Sequence, residues 1–91
     1  MPNSMSPERA EILALEALAW LAAEPDALDR FQAVSGVSGI ELRAAAGTPE
    51  LAVALFDFLL AHEPFLLAFC EASGGDAQSL HRARHQLQPE A

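Results

Sequence analysis

The chain has 91 residues, 52% of them hydrophobic, and thirteen acidic residues against five basic ones give a formal net charge of −8. That length points to one domain, and that apolar content allows a packed core and argues against wholesale disorder. The acidic balance repels nucleic acid and anionic membrane over most of the surface, while a single Cys excludes an intramolecular disulfide and fits a reducing, cytoplasmic compartment.

Nineteen residues are Ala, the strongest helix former, and neither Tyr nor Lys occurs. The start, MPNSMSPERAE, has no basic region ahead of an apolar one, so no secretory leader is expected. Ser6-Pro7 supplies an N-cap followed by Pro at the first helical position, and opens a first helix. Ile12, Leu13, Leu15, Leu18, Trp20 and Leu21 cover most of its circumference, leaving a narrow polar stripe at Arg9 and Glu16. Pro25 stops it and starts a second helix to about Ser35, where Leu28, Phe31 and Val34 share a face. Gly36 is a natural stop. Ser38 and Glu41 form an S-x-x-E capping box for a third helix ending at Gly47.

Thr48-Pro49 repeats the cap-plus-Pro signal for a fourth helix, on which Glu50, Ala54, Asp57 and Ala61 form one thin stripe. A helix apolar elsewhere is expected at the centre of the fold. Glu63-Pro64 breaks it and starts a fifth, to about Ser73. Gly74-Gly75 interrupts, Asp76 caps a sixth, and that helix fades near Leu87. A single helical domain over 6–87 is therefore expected, with 1–5 and 88–91 as untied ends.

Phe31–Ala45 aligns without gaps on Phe69–Ala83 at an offset of 38, and upstream Leu21 pairs with Leu59 and Leu28 with Leu66. The fold class predicted is all-α: a compact bundle of about six short helices, read as two tandem copies (13–46 and 51–84) of a three-helix unit with helix-turn-helix-like turns. The competing explanation is that Ala- and Leu-rich helices align easily.

The run LAVALFDFLLAHEPFLLAFC (Leu51–Cys70) holds two acids and no Arg. Asp57 inside it and the Glu63-Pro64 break argue against a membrane span. Most of it reads as core, but one part is more apolar than its counterpart. Asp29, Arg30 and Gln32 of the second helix correspond to Leu67, Ala68 and Cys70 of the fifth, and Phe65 stands at the place of Ala27. Phe65, Leu67, Ala68 and Cys70 are therefore the expected protein-contact residues, most simply of a twofold homodimer. The alternative is a fifth helix lying deeper than the second.

His81, Arg82, Arg84 and His85 make the one cationic patch. They are the nucleic-acid candidates, against the simpler account that cations favour a helix C-terminus. The turn Gly36-Val37-Ser38 followed by Leu42 resembles that of helix-turn-helix DNA binders. The third helix, however, offers only Arg43 to a base edge. His81 and His85 stand at i, i+4 without a nearby third ligand, so no metal is expected. His62 reads as a capping or core histidine, Asp57 as a solvent-facing carboxylate, and Cys70, among apolar and acidic neighbours, as a thiol with a raised pKa. No nucleophile–base pair, phosphate-binding Gly-rich loop or zinc-ligand series is present, so neither an enzyme nor a cofactor is expected.

Four blocks carry a resemblance: Ala17–Ala23 (ALAWLAA), Phe31 with Gly36, Leu42-Arg43-Ala44-Ala45, and Phe56–Phe69 (FDFLLAHEPFLLAF). Their order over residues 10–87 resembles a bacterial family of small helical proteins catalogued as domain of unknown function 3572. Residues 74–77, GGDA, stand where that pattern has Gly-apolar-x-Pro-Glu. The resemblance implies a cytoplasmic protein and brings no activity or catalytic residue with it. The function expected is a non-catalytic protein-interaction module binding itself or an unidentified protein, without membrane association. A nucleic-acid binder acting through the last helix is the alternative, and a small enzyme the further one.

Overall fold

A computed structural model describes residues 5–88. It contains α1 (Pro7–Ala23), α2 (Pro25–Ser35), α3 (Gly39–Ala44), α4 (Pro49–Ala61), α5 (Glu63–Ser73) and α6 (Ala77–Leu87), with no strand among the described residues. The ends expected to be untied lie, apart from Met5 and Gln88, outside the described residues.

Local chemistry sets the boundaries. Ser6 Oγ accepts from the Arg9 amide at 3.1 Å, and Thr48 Oγ1 accepts from that of Leu51 at 3.3 Å. Ser38 and Glu41 complete a reciprocal capping box: the Glu41 amide donates to Ser38 Oγ at 3.1 Å and the Ser38 amide to Glu41 Oε1 at 2.9 Å. Asp76 caps α6 through the Ser79 amide, so GGDA starts a helix without the proline of the family pattern. Gly36 and Gly74 close α2 and α5 at φ of +74° and +78°, the left-handed region where a side chain would be strained. The third helix is shorter than expected, since a turn through Ala45 and Ala46 intervenes before Gly47.

Packing is organised around α1, α4 and α6. The sixth helix lies against both of the others, α1 also touches α4, and α2 and α5 each fold back on the helix preceding them. The radius of gyration, 12.3 Å, is that of a packed domain of this length. α4 is the most buried element: Leu51, Ala52, Leu55, Phe56, Phe58 and Leu59 are all in the core. Glu50, Ala54, Asp57 and Ala61 are exposed, as their stripe predicted. No single helix among the described residues is long and apolar enough to cross a membrane. α4 and α5 have the combined length and apolarity, but they meet at 113°.

Two helices differ from expectation. The buried seam of α1 is Ala10, Ala14, Ala17 and Leu21, while Ile12 and Leu15 stand outside, 48% and 54% exposed. Small side chains let the helix backbones approach closely, so a helix wedged among several neighbours turns its alanines inward. In α2, Phe31 is buried with Ala27, while Val34, expected to share its face, is 57% exposed.

The offset of 38 recurs in the backbone. α1 and α4 end, α2 and α5 begin and end, and α3 and α6 begin on matching residues. The aromatic contacts also reciprocate. Trp20 meets Phe69 edge-on at 5.8 Å, and Phe58, the counterpart of Trp20, meets Phe31, the counterpart of Phe69, at 5.3 Å. The third helices break the correspondence. α6 is wedged between α1 and α4, whereas the six-residue α3 packs comparably on no helix. A tandem repeat is thus not established by the fold.

Candidate functional site

The junction between α4 and α5 is built on His62. It is at once the C-cap of α4 and the N-cap of α5, and Nδ1 hydrogen-bonds the Phe58 carbonyl at 2.7 Å. The ring lies 4.4 Å from that of Phe58, which stacks on Phe65 at 5.8 Å. His62 is therefore a structural cap, as expected, half-buried in an aromatic cluster that includes Trp20 against Phe65 at 6.4 Å.

From that anchor, α5 turns Leu66 and Phe69 into the core. The four contact candidates do not share one face. At about 100° per residue, Phe65 and Leu67 stand roughly 160° apart. Phe65 is half-buried in the aromatic cluster, and Cys70 is half-buried against the core. Leu67, 59% exposed, and Ala68 form the outward surface, with Pro64 and Glu71 beside them. Among the described residues this side of the fifth helix is exposed, and the helix buries Leu66 and Phe69 much as the second buries Ala27 and Phe31. Burial, aided by the charge of Asp76, raises the Cys70 thiol above its usual pKa, which leaves it a weak nucleophile at neutral pH.

The cationic patch is partly engaged within the fold. The Arg84 guanidinium donates to both carboxylate oxygens of Asp57 on α4, a pairing that keeps its pKa above the ordinary arginine value, and reaches Gln88 Oε1 at 3.0 Å. Arg82 donates to Gln78 Oε1 at 2.8 Å. His81 and His85 are exposed. No group of three potential metal ligands occurs among the described residues. Asp57, expected only to face solvent, does so while tying α4 to α6.

One feature was not picked out from the sequence. A cavity of about 160 Å³ opens between α1, the start of α4 and the end of α6. Glu11, Leu15, Leu18, Thr48, Pro49, Leu51, Leu55 and Leu87 are among its walls. Its only sequence signal was that α1 carries large apolar residues all round, more than one buried face can use.

Residues 7–90 match the family described as Protein of unknown function (DUF3572). The chain belongs to this family. The match takes in all six helices, and so confirms over nearly the whole chain the resemblance carried by the blocks from Ala17 to Phe69. No curated protein and no solved structure matches the chain. DUF3572 membership assigns no chemistry to α5, to the patch on α6 or to the cavity.

Proposed function

We propose that this DUF3572 member is a non-catalytic interaction module that pairs with a second copy of itself through the outer face of α5. The single observation that carries the proposal is Leu67, a large apolar side chain more than half exposed in the middle of a helix whose other large residues are sheltered. Ala68 and Pro64 extend the apolar surface, and Cys70 forms its shoulder. An exposed apolar patch on an acidic protein marks a contact site more often than a defect. A twofold arrangement needs only one self-complementary patch. The internal correspondence at an offset of 38 supports reading the chain as two related units, of which only the second has gained this surface. A cytoplasmic location, expected from the lone thiol and the family, is part of the same proposal.

Nucleic-acid binding through α6 has less support. Arg84 is held by Asp57, which leaves Arg82 as the one guanidinium of α6 without a carboxylate partner among the described residues, and sites that neutralise several phosphates need more. The experiment is sedimentation of wild type and Leu67→Arg, with circular dichroism on both. The proposal predicts a wild-type dimer and a folded Leu67→Arg monomer. A wild-type monomer at all concentrations would refute self-association.

A further inference from the structure

We propose that the groove between α1 and the start of α4 is a second docking surface, and that its occupant is a basic amphipathic helix of a partner protein. It shares no residue with the α5 face.

Two heptad-like seams run side by side along α1. Ala10, Ala14, Ala17 and Leu21 form the buried one. Glu8, Glu11, Leu15, Leu18 and Ala22, again spaced alternately by three and four, form the other, and of these only Leu18 is even half-buried. That spacing is how a helix presents itself to another helix. Leu15 and Leu18 also line the cavity of about 160 Å³, whose far wall is Leu51 and Leu55. A cavity of about 150 Å³ holds a benzene ring, so this one accepts a single Leu or Phe side chain.

Charge selects the occupant. Glu8 and Glu11 stand at one end of the seam, and Glu11 lines the cavity. Glu8, in the first turn of α1, suits the positive end of that helix's dipole. Glu11, a turn further along, has no such local account, and the one ion pair among the described residues is Asp57–Arg84, elsewhere on the molecule. A helix that lays an apolar anchor in the cavity and Lys or Arg against Glu8 and Glu11 answers both features.

The test uses the ¹⁵N-labelled full chain and a synthetic Leu/Lys amphipathic peptide of about 14 residues, roughly four helical turns. A Leu/Lys peptide of identical composition, scrambled so that no apolar stripe remains, and a Leu/Glu version are the controls. The amphipathic cationic peptide is expected to bind, with amide shifts gathered on residues 11–18, 47–55 and 87. Leu15→Asp and Glu11→Lys should each weaken it about tenfold, while Leu67→Arg should not. Equal binding by the scrambled peptide, shifts spread over the surface, or no binding would overturn the proposal. Concentration-dependent shifts at the same residues without peptide would overturn it in favour of a second copy.

Discussion

Phe31 and Phe69 are each only 1% exposed, and each meets an aromatic ring from the other half of the chain. Either one replaced by Ala leaves a void that its neighbours cannot fill. The expected loss is about 3–5 kcal/mol, read from denaturant midpoints. A midpoint that hardly moved would mean these rings are not core. Smaller effects belong to the caps. Ser38→Ala should cost about 0.5–2 kcal/mol, because it removes one half of a reciprocal pair. Hydrogen bonds from Ser38 hold Glu41 below the ordinary value of 4.5, and those from Ser79 hold Asp76 below 3.8. A carboxylate with a depressed folded pKa stabilises above its unfolded value and loses that contribution as pH falls through the folded one. The stability advantage of wild type over a Glu41→Gln, Asp76→Asn variant should therefore be present at pH 6 and shrink below about pH 4, where both carboxylates gain protons. A gap that stayed constant to pH 3 would contradict this assignment. Caps were legible from sequence because each rests on residues three apart, whereas the aromatic pairings join residues far apart in the chain and were not.

At the scale of whole helices, legibility depended on contrast. α4 has one thin polar stripe in an apolar cylinder, so its orientation was readable, and its four stripe residues are exposed. α1 has no such contrast. Which apolar face turns inward was decided by side-chain size against its neighbours, a tertiary matter, and Ala won over Ile12 and Leu15. α5 was read by comparison with α2. That comparison found Leu67 and Ala68 on the surface but grouped with them Phe65, which the His62 cap draws into the aromatic cluster. Crowding along α1 follows directly. Ala10→Leu or Ala17→Leu should cost about 1–3 kcal/mol by overpacking. Leu15→Ala, on the open seam, should stay within about 0.5 kcal/mol, the usual range for surface positions. Thermal melts of the three variants check the ordering, and equal losses would place Leu15 in the core.

The whole molecule joins two halves that agree in their turns and differ in their third helices. α6 is wedged between α1 and α4, tied by the ion pair from Arg84 to Asp57, while α3 stays short and peripheral. No local pattern in the sequence announced that difference, because it arises from which helix fills the space between the two central ones. The proposed function rests on an excess: more apolar surface on α5 and α1 than the core consumes. Self-association through the α5 surface is the central claim, and it has a direct thermodynamic signature. Dimerisation stabilises the folded state by mass action, so the unfolding temperature depends on protein concentration. The decisive measurement is the thermal midpoint of wild type and Leu67→Arg across a hundredfold range of concentration, about two decades of mass action. The account predicts a wild-type midpoint that rises with concentration and a Leu67→Arg midpoint that does not. A wild-type midpoint independent of concentration would contradict it.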